Sequence, residues 1–228
     1  GITSEDVVSV YMPMSLELVI VMLACARLGA MHNVIFPGFS AESIRDRLND
    51  CSSKIIVTAD GTWRKGKVLP LKNIVDKSLV GNKSVENVII WDRGLVSYRK
   101  NLNDLDWHQL MQKVCLEENI RFWDSEHPLF LLYTSGSTGK PKGLVHTSAG
   151  YLLGATLSSR YIFDLHPDDI YWCTADIGWI TGHSYVVYGP LSNGSTIFLY
   201  EGAPSFPKPG RFWNMIEKHK ISKFYNMN

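Results

Sequence analysis

The densest chemistry in the chain lies between residues 134 and 143: Thr134-Ser135-Gly136-Ser137-Thr138-Gly139-Lys140-Pro141-Lys142-Gly143, directly after the apolar run Leu129–Tyr133. Glycines let backbone N–H groups come close to a ligand and permit positive φ. Hydroxyls and consecutive N–H groups make a concave donor surface suited to phosphate oxygens. Lys140 and Lys142 add positive charge, and Pro141 stiffens the exit. The segment reads as a phosphate-binding loop. It is not a Walker A loop, which needs Gly, four residues, then Gly-Lys-Ser/Thr. Here Pro141 follows Gly139-Lys140, and Thr134 stands five residues before Gly139.

Two other patterns point to a different class of chemistry. Ser137-Thr138-Gly139-Lys140 matches the Ser-x-x-Lys of some acyl-transfer enzymes, but neither Ser-Asp-Asn nor Lys-Thr-Gly accompanies it. Gly182-His183-Ser184-Tyr185 approaches a hydrolase nucleophile elbow, with Val186 where the closing Gly belongs. A Ser-Lys amidase or hydrolase and a non-catalytic nucleotide-binding module therefore stand as alternatives to a phosphate-using enzyme. Arg64-Lys65-Gly66-Lys67 on its own reads as a solvated basic surface turn. Trp179 on its own reads as a core aromatic.

These residues need a frame. Val7–Met12 reads as a buried strand, and Ser15 caps a helix with apolar Leu16, Val19, Ile20 and Leu23 at helical spacing. His32–Ile35 is a strand, residues 41–51 a helix and Lys54–Thr58 a β-branched strand. Strand and helix in alternation predict βαβ crossovers and an α/β fold with a mostly parallel sheet flanked by helices. Residues 60–125 are more polar, with a strand at Val88–Trp91 and a helix at 107–118. A helix at 148–160, strands at Ile170–Thr174, Thr196–Tyr200 and Lys223–Tyr225, and a helix at 211–220 follow. No repeat or low-complexity linker divides the chain, so residues 1–228 read as one α/β unit, incomplete at its C-terminal side.

Composition narrows the classes. The chain has 228 residues, 45% hydrophobic and 20% charged, which excludes disordered and collagen-like proteins. A net charge of +1 gives no support to a nucleic-acid binder or membrane-surface protein, so any anion site must be local. The four cysteines, at 25, 51, 115 and 173, form no CxxC pair and suggest a reduced, intracellular (cytoplasmic) setting. The apolar run Leu18–Ala26 is too short to span a bilayer. The chain starts at Gly1 with no signal-peptide pattern and stops on a strand-like Phe224-Tyr225, as a fragment would.

Taken whole, Tyr133 to Gly143 resembles the phosphate loop of the acyl-adenylate-forming enzymes. Residues 144–154, 168–185 (including Ala175-Asp176-Ile177-Gly178-Trp179-Ile180-Thr181-Gly182-His183) and Tyr188-Gly189-Pro190-Leu191 narrow this to the AMP-forming acetyl-CoA synthetase family. Phe36-Pro37-Gly38-Phe39-Ser40 and Thr58-Ala59-Asp60 fit the same family. The resemblance implies the large N-terminal domain of a two-step ligase. ATP and acetate would give acetyl-AMP and pyrophosphate, and CoA would then give acetyl-CoA and AMP, with Mg²⁺ required. It implies that Thr134, Ser135, Gly136, Ser137, Thr138, Gly139, Lys140 and Lys142 hold the ATP phosphates. Trp179, Ile180 and Thr181 would form part of the acyl pocket. Gly38, Arg64, Lys65, Gly66, Lys67, Thr181 and Ser205 would meet CoA. Family members often carry Arg where Lys67 stands, which keeps the charge and loses bidentate geometry. The catalytic Lys, the Mg²⁺-binding Glu and the mobile C-terminal domain are expected beyond residue 228, so this piece alone is expected to hold no catalytic residue, to bind no metal and to be inactive. A propionate- or other short-acyl-CoA ligase fits the same residues.

Overall fold

The computed structural model describes residues 1–113, 121–134, 141–203 and 206–226. Strands arise where β-branched residues cluster, and helices where a hydroxyl precedes an apolar series. β1 (Val7–Tyr11) is buried at every position. α1 (Leu16–Leu28) begins on Ser15, whose Oγ accepts the Leu18 N–H at 3.3 Å, and ends on Gly29 in the left-handed region. β2 (Met31–Val34) follows, then α2 (Ala41–Asp50), capped in the same way by Ser40, then β3 (Ile55–Ala59). Both β2 and β3 pair parallel to β1, as the alternation predicts.

The polar stretch after β3 is more structured than its sequence suggests. β4 (Thr62–Arg64) and β5 (Lys67–Leu69) form an isolated antiparallel hairpin, and α3 (Leu71–Ser78) follows at once. β6 (Asn87–Trp91), β7 (Asp104–Asp106) and α4 (Trp107–Gln112) come next, then β8 (Pro128–Thr134), β9 (Lys142–Thr147) and α5 (Ser148–Tyr161). The chain continues through β10 (Ile170–Cys173), α6 (Ile180–Gly182), a π-helical turn over His183–Tyr188, α7 (Gly189–Ser192), β11 (Thr196–Ile197), α8 (Arg211–His219) and β12 (Lys223–Tyr225).

The larger sheet has the order β7-β6-β3-β1-β2-β8-β9, parallel throughout except where β9 runs antiparallel to β8. The smaller is parallel, in the order β11-β10-β12. One face of the large sheet packs Tyr11, Ile35, Ile56, Val88 and Ile90 against Ile44 and Leu48 of α2 and Leu71 and Val75 of α3. On the other side Val8, Val10, Val34 and Phe130 share a core with α1, with Tyr171 and Cys173 of the small sheet, and with Val186–Tyr188 of the π turn. The two sheets therefore lean on common apolar packing.

Three expectations need correction. Of the four apolar positions expected to form the inner face of α1, only Val19 is buried. Leu16 is 63% exposed, Ile20 and Leu23 are also exposed, and Leu18, Val21, Met22 and Cys25 face inward instead. Nearly every position of this helix is apolar, so spacing cannot tell its faces apart. The helix expected over 107–118 ends at Gln112 among the described residues, and residues 114–120 lie outside them. The strand expected over Thr196–Tyr200 stops at Ile197, because β10 offers it a register of only two residues.

Candidate functional site

Four strands point their carboxyl ends at one cleft of about 310 Å³. Pro13 and Met14 follow β1, Phe36 and Pro37 follow β2, Thr62–Lys65 follow β3, and Thr174 and Asp176 follow β10; all of them line the cleft. Ligands of parallel α/β sheets bind at this edge, where loops diverge from the strand ends.

The basic turn is the tip of the β4–β5 hairpin. Lys65 (φ 49°) and Gly66 (φ 74°) both take left-handed conformations, the requirement of the tight two-residue turn that matches strand twist. A side chain at Gly66 would also collide with Phe206, whose Cζ lies 2.6 Å from where a Cβ would stand. Arg64 and Lys67 are direct cross-strand partners and so share one face of the hairpin. Both are exposed, and among the described residues neither has a carboxylate within salt-bridge distance. Two unpaired cations on one face repel each other unless an anion joins them. The Arg64 guanidinium lies 5.1 Å from the Phe36 ring centroid, and a Cβ on Gly38 would stand 2.7 Å from its Nη1. Gly38 thus lets the guanidinium settle on Phe36.

Trp179 is the residue before α6, with extended backbone. It is not a core aromatic: 48% of it is exposed, whereas Trp172 in β10 is fully buried. Ile180 is also exposed and Thr181 half-buried. The Trp179 indole packs against Phe36 (5.8 Å between centroids) and Phe39 (6.2 Å). Just before it, Asp176 accepts the Gly178 N–H at 2.8 Å. Burial pushes the Asp176 carboxyl up to about 6, against the pull of that N–H and of the Arg64 charge.

Thr134 and Lys142 are cross-strand partners at the end of the β8–β9 pair, so the two ends of the segment expected to bind phosphate are held side by side. Ser135, Gly136, Ser137, Thr138, Gly139 and Lys140, with Ser205, lie outside the described residues. At the root of the loop the Tyr133 hydroxyl donates to Asp50 Oδ2 at 2.6 Å. Buried Arg47 spans from Tyr133 (5.5 Å to the ring centroid) to Phe39 (4.4 Å) and donates to the Ser43 carbonyl at 2.7 Å. A continuous run of rings and guanidinium groups results: Tyr133, Arg47, Phe39, then Phe36 with Trp179, then Arg64. It joins the end of β8 at Tyr133, the Trp179 segment and the basic hairpin, three segments far apart in sequence. Arg47 carries no mark in the sequence, because α2 has two arginines, Arg45 and Arg47, that read alike as solvated.

The elbow reading meets a structural obstacle. Gly182 has helical backbone (φ −65°, ψ −46°), and Ser184 lies inside the π turn with its Oγ 2.8 Å from the Tyr151 hydroxyl. A nucleophile elbow needs a strained strand-to-helix corner that exposes the serine. Among the described residues no group of three or more His, Cys, Asp or Glu gathers to hold a metal ion, so no ligand is assigned to Mg²⁺ and no step below is routed through it. Cys25, Cys51 and Cys173 are free thiols. No described helix is long and apolar enough to cross a membrane.

Residues 1–228 match the family described as AMP-binding enzyme along their whole length. The chain is 55% identical over 226 residues to an acetyl-coenzyme A synthetase of Rhodopirellula baltica and 54% identical to one of Chlorobaculum tepidum, covering 99% of this chain and 34% of each relative. Among solved structures, acetoacetyl-CoA synthetase from Streptomyces lividans superposes with a TM-score of 0.90 at 29% identity, over 99% of this chain and 34% of that one. The chain thus spans about a third of the length of these relatives.

Proposed function

Since the chain belongs to the AMP-binding enzyme family, we propose that a full-length protein carrying it is an acetate–CoA ligase. In the first half-reaction an acetate oxygen attacks the α-phosphorus of ATP, giving acetyl-AMP and pyrophosphate. In the second the CoA thiol attacks the acetyl carbonyl and AMP leaves, giving acetyl-CoA. The observation that supports the reading is the run from Tyr133 through Arg47, Phe39, Phe36 and Trp179 to Arg64, which brings the strand end leading into segment 134–143, an exposed indole and a basic hairpin to one sheet edge. The relatives named acetyl-coenzyme A synthetase supply the substrate class.

The roles follow from charge and shape. Phosphoryl chemistry of this kind depends on positioning and charge neutralisation. Lys140 and Lys142, with the hydroxyls and N–H groups of 134–139, hold the β- and γ-phosphates while the α-phosphorus reacts. Trp179, Ile180 and Thr181 form the near wall of the acyl site. Arg64 and Lys67 face one CoA phosphate from the same side of the hairpin, with Gly38, Lys65, Gly66, Thr181 and Ser205 at the nucleotide's edges. The catalytic Lys and the ligands of Mg²⁺ belong to a further part of the polypeptide, the setting is intracellular, and the 228-residue piece alone is inactive.

The test separates the two half-reactions. In the full-length protein, Lys140→Ala together with Lys142→Ala should slow acetate-dependent pyrophosphate exchange. Arg64→Ala should raise the KM for CoA and leave that exchange intact, since exchange needs no CoA. Exchange driven by propionate rather than acetate would change the substrate. No exchange with any short acid would refute the ligase reading.

A further inference from the structure

A two-stranded hairpin is marginal in water by itself. β4 and β5 pair only with each other among the described strands, so groups outside them must set where Arg64 and Lys67 point. The strongest such group is Glu201, in the segment after β11. Its Oε1 accepts the Thr62 hydroxyl at 2.7 Å and the Trp63 N–H at 2.9 Å, so it grips the two residues of β4 just before Arg64. Its two oxygens also take Nη1 and Nη2 of Arg93 at 2.7 and 2.6 Å, the fork-on-fork geometry that fixes orientation as well as distance.

Arg93 is held in turn. Its N–H donates to Asp60 Oδ1 at 3.1 Å, its Nη1 to the Gly61 carbonyl at 3.2 Å, and its guanidinium lies 4.7 Å from the Trp91 ring centroid. Asp60 is buried and also accepts the Val96 N–H at 3.0 Å. The chain of bonds therefore runs from the end of β6, through Arg93, into Glu201 and onto the hairpin. Burial pushes the Glu201 carboxyl up, but hydrogen bonds from Arg93, Thr62 and Trp63 outweigh it and hold the group below its ordinary range. The carboxylate stays ionised, and so does the latch.

We infer that the Arg93–Glu201 pair is a positioning latch for the CoA half-reaction: it fixes β4 so that Arg64 and Lys67 meet a phosphate of CoA, and it plays no part in adenylation. The inference rests on the CoA reading of the hairpin. Glu201 touches no proposed substrate contact directly; it acts through Thr62 and Trp63 on Arg64.

The experiment uses the full-length protein and three measurements: acetate-dependent pyrophosphate exchange, the KM for CoA in the complete reaction, and the melting temperature. Glu201→Gln keeps the shape and removes the charge that Arg93 needs, and Arg93→Lys keeps the charge and removes the fork. Each is expected to raise the KM for CoA about tenfold, or about 1.4 kcal/mol, with exchange changed less than about twofold. In the double variant Glu201→Gln/Arg64→Ala the rise in KM should fall short of the product of the two single rises, because the latch acts in part through Arg64. If Arg64→Ala raises the KM and the two latch variants do not, the latch is refuted and the CoA reading stands. If Arg64→Ala itself leaves the KM unchanged, the CoA reading fails and takes the latch with it. Equal losses in both half-reactions with a lowered melting temperature would make the pair a plain structural tie and overturn the inference.

Discussion

Replacing Lys72 with methionine is expected to lower the melting temperature by about 6–20 °C. Lys72 sits in the first turn of α3 with its side chain 0% exposed. Its ammonium lies 3.0 Å from Asp104 Oδ2, whose side chain is 1% exposed, and 2.5 Å from Asp76 Oδ1 near the surface. The Tyr98 ring centroid is 5.8 Å away. Asp104 Oδ2 also accepts the Asn101 N–H at 2.8 Å, but its Oδ1 has no hydrogen-bond partner. Methionine fills similar space, so little packing is lost. What remains is a buried carboxylate with one oxygen unpaired and no counter-charge. Breaking a buried pair in this way costs about 3–5 kcal/mol, and each kcal/mol is worth about 2–4 °C for a unit of this size. Calorimetry of the single variant and of Lys72→Met/Asp104→Leu checks the reasoning. The double variant removes both desolvation costs and should regain most of the loss. A single variant within 2 °C of wild type (a shift below roughly 1 kcal/mol), or a double variant as unstable as the single, would refute it. The outcome bears on function because α3 follows β5 through Pro70, so this ion cluster pegs the base of the basic hairpin to β7.

Three further outcomes are expected. Trp179→Gly removes the indole that packs on Phe36 and Phe39 and should lower kcat/KM for acetate about tenfold; wild-type values for acetate and propionate alike would place the acyl site elsewhere. Gly66→Val forces a branched side chain into a left-handed turn against Phe206, a strain of about 1–3 kcal/mol, and should raise the KM for CoA with exchange preserved; an unchanged KM would remove the hairpin tip from the CoA site. Burial lowers His183 from 6.5 to about 4 and holds His32 well below 6.5. The unfolded chain therefore takes up protons that the folded one refuses. Stability is fully present above about pH 6.5 and is lost as pH falls toward 4. Melting temperatures over that range should show a shallower decline in His183→Gln, and parallel declines would contradict the assignment.

The first half of the fold is legible because its signals are local. Ser15 announces α1, and Val7–Tyr11 and Ile55–Ala59 are β-branched runs that need no distant information. The hairpin is illegible for the opposite reason. Its strands are three residues each, Trp63 through Lys67 are all exposed, and no alternation marks them. The π turn at His183–Tyr188 likewise leaves no periodic trace. In the site, the Gly/Ser/Thr/Lys loop and the basic turn show through composition. Glu201, Arg93 and Arg47 do not. Each is a single charged residue whose meaning lies in partners distant in the chain, and spacing carries no information about such pairs.

The strand order also dictates a schedule. β2 ends at Val34, but its second neighbour, β8, does not begin until Pro128. At a synthesis rate of about 5–20 residues per second, that edge of the sheet waits roughly 5–20 s for its partner. An open, apolar edge invites pairing with another nascent chain for as long as it waits. β2 reads Met31-His32-Asn33-Val34, so its central pair is polar. In the finished protein both are buried, with His32 Nε2 2.6 Å from the Tyr188 hydroxyl and Asn33 Nδ2 donating to Ser9 Oγ at 3.0 Å. During translation Asn33 already has its Ser9 partner in β1, but the Tyr188 partner of His32 does not yet exist, so the imidazole must bond to water until the chain reaches residue 188.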